Sequence, residues 1–150
     1  MNLKTWLENG WLRKHEATSQ EINDLLQIVE RDLQDARAGL SNDWQFGIAY
    51  NAALKICTIV LHAEGYRAER NLHHYRTIQA LPLILGQSRK EEANYLDACR
   101  VKRNIVEYDR VGAVSDIEVR ELITLVEELR EDVMAWLKSR HPDLLLNRER

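Results

Sequence analysis

Four glycines divide this chain, and that division constrains its fold more than any other feature. Gly39, Gly65, Gly86 and Gly112 each follow a segment whose apolar residues recur at helical spacing. A helix end favours glycine because the missing Cβ lets the backbone turn into the left-handed region. Start signals alternate with these stops. Ser19 opens the first long segment, and Ser41, Asn42 or Asp43 the second. Ser88 opens a later one, and Ser115 with Glu118 has the spacing of a capping box. The marks predict long helices over about 19–38, 42–64, 88–110 and 115–139. A shorter helix is expected over about 73–85, kinked or restarted at Pro82. Residues 3–8 read as a short amphipathic piece that packs as an arm.

The apolar periods agree. Ile22, Leu25, Leu26, Val29, Leu33 and Ala36 form one helical stripe. Val119, Leu122, Val126, Leu129, Val133 and Trp136 alternate steps of three and four, the seam spacing of a bundle helix. The second long segment is apolar on most sides and is therefore expected at the centre. With six glycines and two prolines in 150 residues, nothing in the composition favours sheets. The expected fold is all-α: an antiparallel four-helix up-and-down bundle with a short extra helix between the second and fourth predicted segments. One domain covers 1–150, with a core at about 19–139, an arm over 1–18 and a frayed tail over 140–150. Leu144, Leu145 and Leu146 give that tail something to dock on a neighbour.

Several classes are excluded. Cys57 and Cys99 lie inside apolar helical pattern and read as reduced core thiols of a cytoplasmic protein. The first residues lack the apolar run of a signal peptide, and the stretch Ile48–Leu61 is too short and too interrupted by Asn51, Lys55 and Thr58 to span a membrane. There is no Gly-rich phosphate loop, no GxSxG and no metal-ligand pair of CxxC or HExxH type. A metal here would need His62 and Glu64 to meet His73 or His74; no metal and no cofactor is expected. A net charge of −3 excludes a strongly basic nucleic-acid coater. The charge is nevertheless uneven: −3 over 1–43, +3 over 44–110 and −4 over 111–138. The basic middle suits a phosphate-bearing ligand.

Two places in that middle carry candidate chemistry. Leu96, Cys99, Arg103 and Val106 are spaced three, four and three, which puts Arg103 in an apolar stripe. A guanidinium keeps its proton, so burial there demands a carboxylate, carbonyls or a bound anion. Glu107, one turn on, is its nearest partner, and Asn104 and Tyr108 are one turn apart. The second place is the connection Gly65–Thr77, with Arg67, Arg70, Arg76, His73, His74, Tyr66 and Tyr75. Aromatics between cations stack bases and hold phosphates, and histidine moves protons near neutrality. Tyr50 and Lys55, on the second helix, join this ligand-binding set. Asn51, Lys55, Thr58 and His62 make a polar row that reads as a solvent- or partner-facing strip.

The run Arg103-Asn104-Ile105-Val106-Glu107-Tyr108 resembles the motif of the HEPN superfamily, the helical domains named for nucleotide binding in higher eukaryotes and prokaryotes. That motif is an arginine, usually a polar residue after it, and a histidine five positions after the arginine. Here Tyr108 holds the histidine's place. Ala49-Tyr50-Asn51-Ala52-Ala53-Leu54, Gly65-Tyr66-Arg67 and His73-His74-Tyr75-Arg76-Thr77-Ile78 extend the likeness over about 42–138. The chain is similar to a subgroup with R-N-x-x-E-Y in place of R-N-x-x-x-H. The resemblance implies a homodimer whose R-N motifs meet near the two-fold axis. It also implies RNA, a nucleotide or a protein as ligand, or a place in a toxin–antitoxin or defence-type system beside a nucleotidyltransferase-type antitoxin. Many such proteins are metal-independent endoribonucleases. A phenol titrates near pH 10, so Tyr108 does not easily do that histidine's acid–base work, although it stands with Arg103, His73 and His74 as a candidate catalytic residue. The noncatalytic binder therefore ranks first. A ribonuclease using Arg103 with His73 or His74 ranks second, and a structural helical adaptor third.

Overall fold

A computed structural model describes residues 2–108 and 112–145, with side chains except those of 106–108. The molecule is mostly helical. Its elements are α1 (Leu3–Glu8), β1 (Leu12–Lys14), α2 (Ser19–Ala36), α3 (Asn42–Ala63), β2 (Tyr66–Ala68), α4 (His73–Gln79), α5 (Leu81–Leu85), α6 (Lys90–Tyr108) and α7 (Asp116–Arg140). Short 3-10 turns cover Gln87–Arg89 and Pro142–Leu145.

The ends follow the local chemistry. Gly39, Gly65, Gly86 and Gly112 all have positive φ, as their positions after apolar segments require. The Ser115 hydroxyl accepts from the Glu118 N–H while the Glu118 carboxylate accepts from the Ser115 N–H, which satisfies two donors that α7 leaves unpaired. Thr18 rather than Ser19 caps α2, accepting from the Glu21 N–H, and Ser41 caps α3. Pro82 sits at the start of α5, where its missing N–H has no partner to lose, so the predicted 73–85 helix breaks in two and restarts.

α3 is the centre. It packs against α2, α6 and α7, and Phe46, Tyr50, Ile56, Ile59 and Leu61 are among its fully buried side chains. Ile48–Leu61 alone reads as too short to span a membrane, but the full helix Asn42–Ala63 is long and apolar enough to cross one; it is mostly buried against the other helices. Leu144 and Leu145 are buried, and their turn lies against α2 and α7; Leu146 lies outside the described residues.

One element departs from the all-helical expectation. β1 and β2 form an antiparallel ladder that pairs Leu12 with Ala68, Arg13 with Arg67 and Lys14 with Tyr66. A second small core of Trp6, Leu12, Leu61, Ala68 and Ala80 lies under it. The arm is thereby fixed to the end of α3. Three-residue strands carry too little periodicity to register as strands in sequence.

Candidate functional site

The ring of Tyr50 organises the basic middle of the molecule. It projects from α3 and is only 1% exposed. The Arg103 guanidinium, on α6, lies 5.7 Å from the ring centroid. The His74 ring, on the first turn of α4, lies 6.5 Å away, and His73 packs edge-on to His74 at 5.7 Å. Both α3 and α4 pack on α6, so residues far apart in sequence converge here.

Electrostatics match that convergence. Burial pushes the Tyr50 phenol above its ordinary range, against the pull of Arg100 and Arg103. Burial first, then repulsion between the His74 and His73 imidazoles when both take up protons, then the positive charges of Arg103, Lys55 and Arg100, hold the His74 imidazole below its usual value. Burial and Lys55 do the same to His73. Both imidazoles are therefore neutral at pH 7. Arg100 is paired with Asp97 at 2.8 Å. Among the described residues the buried Tyr50 hydroxyl has no hydrogen-bond partner. A buried unpaired hydroxyl is costly in a finished core and useful where a polar ligand arrives. Neutral imidazole can accept a proton, and the three cations can hold an anion.

The candidates named from sequence separate into distinct places. Arg103, His73, His74, Tyr50 and Lys55 come together. Asn104 is exposed on the same helix. The side chains of Glu107 and Tyr108 lie outside the described residues. The rest of the Gly65–Thr77 connection does not join Arg103. Arg67 and Arg70 line a different cleft with Arg13, His62 and His73. Tyr75 and Arg76 line another beside Trp6 and Trp11, with the Arg76 guanidinium 4.4 Å over the Trp11 ring. β2 and the turn after it send successive residues in different directions, so one basic run serves three surfaces.

The polar row on α3 is not a solvent strip. Asn51 donates to the buried Asp32 carboxylate at 2.7 Å, and the Thr58 hydroxyl donates to the Leu54 carbonyl at 2.8 Å. His62 meets Glu21 and stacks on His15. Glu64, the expected companion of His62, instead bonds Arg140 and His141. Sequence reading missed Arg100, although its place one turn before Arg103 was the available signal. It also missed His15 and Glu21, for which no local signal existed. Comparison with known family models, curated proteins and solved structures found no match.

Proposed function

We propose that this chain is an HEPN-like protein that binds single-stranded RNA through the Tyr50–Arg103 cluster. In this reading the long helices form an antiparallel up-and-down bundle and two cytoplasmic copies pair as a homodimer. The observation that carries the reading is the gathering of Arg103 and His74 against one buried aromatic ring whose hydroxyl is unpartnered among the described residues, with Arg100 and Lys55 near enough to act on His74 electrostatically. Cations supply the phosphate term of RNA affinity, which falls with added salt as counterions are released. Val101 and Ile105, one turn apart and exposed on the side of α6 away from Arg103, suit a dimer seam. A partner of nucleotidyltransferase type would then act on or shield this surface.

A second reading has its own support. His74 is neutral and shares the Tyr50 ring with Arg103. A metal-independent endoribonuclease needs that pair, a base for the 2′-hydroxyl and a cation for the phosphate.

One experiment serves both. Purified wild type, Arg103→Ala and His74→Ala are titrated with a labelled single-stranded RNA, and the RNA is then checked for cuts. The expected result is binding that weakens with salt and falls about tenfold or more in Arg103→Ala, the loss of one charge-assisted contact. Intact RNA identifies a binder. Cleavage that disappears in His74→Ala identifies the enzyme. Wild type that neither binds nor cuts leaves the structural adaptor.

A further inference from the structure

The strongest unassigned feature lies at the other end of α3. Three side chains from three elements converge there. His15 follows β1, Glu21 stands in the first turn of α2, and His62 stands in the last turn of α3. His15 Nε2 is 2.7 Å from Glu21 Oε1 and 2.8 Å from Oε2. His62 Nδ1 is 3.2 Å from the same Oε1. The two imidazole rings are 4.2 Å apart at centroid. All three donor atoms lie within 4.8 Å of one another, and each side chain is part-buried.

The backbone holds this arrangement from three sides. The His15 N–H donates to the Gly65 carbonyl at 2.9 Å, and the Gly65 N–H donates to the His62 carbonyl at 3.0 Å. Gly65 has φ +97°, a conformation that favours glycine, and so links both histidines through the chain itself. Thr18 caps α2 by accepting from the Glu21 N–H at 3.1 Å, which fixes the base of the carboxylate. Donors on rigid elements with supporting hydrogen bonds are what a metal site requires.

We propose that His15, Glu21 and His62 bind a divalent transition-metal ion of the zinc class. Two imidazole nitrogens and one carboxylate exclude calcium and magnesium, which take oxygen ligands, and match Zn²⁺. Bonds of about 2.0–2.2 Å to a tetrahedral ion place ligand atoms roughly 3.3 Å apart. The two His–Glu21 separations, 2.7 and 3.2 Å, fall short of that by about half an ångström or less, and all three donor atoms already lie within 4.8 Å of one another. Each imidazole offers the required lone pair by moving its proton to its other nitrogen, so binding needs no proton lost from a neutral ring. Water completes the fourth position. The ion ties the arm, α2 and α3 together. The buried thiols do not compete: Cys57 and Cys99 lie in the core formed by α2, α3, α6 and α7.

The test uses the full chain freed of metal by a chelator. Calorimetric titration with Zn²⁺ is expected to give one site per chain and a raised melting temperature, since an ion that binds the folded form alone stabilises it. His15→Ala and His62→Ala are each expected to weaken binding at least about tenfold. His141→Ala removes a His–Glu pair elsewhere among the described residues and is expected to leave Zn²⁺ binding unchanged. Should an alanine variant fail to fold, Co²⁺ added to the wild type decides the matter: perturbed imidazole NMR signals of His15 and His62 are expected. Wild type that binds no more Zn²⁺ than the folded His15→Ala variant overturns the proposal, as does Co²⁺ that leaves both imidazoles unperturbed.

Discussion

At the scale of single residues, Tyr50 is under two opposing demands. Its ring fills the space between α3, α4 and α6, while its hydroxyl is buried without a partner among the described residues. Removing an unsatisfied buried hydroxyl relieves a desolvation cost of about 1 kcal/mol or more. Tyr50→Phe is therefore expected to raise the urea midpoint while weakening RNA binding, a trade seen by measuring both on one preparation. A variant that is less stable than wild type contradicts the unpaired hydroxyl. His74 carries a pH signature. Its pKa is lowered in the folded protein from 6.5. Between the lowered value and 6.5 the unfolded chain binds more protons, so stability is full above 6.5 and is lost as pH falls through the folded value. His74→Gln lacks this penalty. Its stability relative to wild type is expected to improve on acidification, and parallel pH profiles would show that His74 titrates alike in both states. Arg103 was legible as a residue needing an anion or a carboxylate because a helix makes spacing of three and four equivalent to a shared face. Tyr50 was among the ligand-binding candidates, but its contact with Arg103 was not legible, because the two are fifty-three positions apart and only packing brings α3 to α6.

Elements were the most legible scale. Helix ends are set by side chains within three or four residues, so Gly65, Gly86 and the Ser115–Glu118 pair declared themselves. Ser115→Ala removes the acceptor for an orphan N–H of α7 and is expected to cost about 1 kcal/mol in chemical denaturation, with little change in the amount of surface exposed. A loss near zero would mean that water caps the helix as well. The β1–β2 ladder was hidden for the opposite reason. Its two strands are three residues each and lie more than fifty positions apart, and what fixes them is a small core of Trp6, Leu12, Leu61, Ala68 and Ala80 contributed by five segments. That same ladder scatters the arginines of the Gly65–Thr77 connection, which in sequence look like a single basic patch. It also carries His15 to His62. Long-range pairing thus decided where the candidate sites lie, while local rules decided which residues could populate them.

For the whole molecule, the homodimer reading makes Val101 and Ile105 a seam. Both are exposed on α6, so Val101→Glu with Ile105→Glu is expected to leave the fold intact and to convert a dimer to a monomer in sedimentation. A wild type that sediments as a monomer removes the basis for that seam without touching the RNA prediction. The central place of α3 has a consequence for chemistry in time. Cys57 sits in the middle of that helix at 1% exposure, and burial pushes its thiol up to about 12. An alkylating reagent needs the thiolate, so it reacts only when α3 comes away from α2, α6 and α7. The sulfur is thus a built-in clock: the slow labelling of one atom counts how often the whole molecule opens.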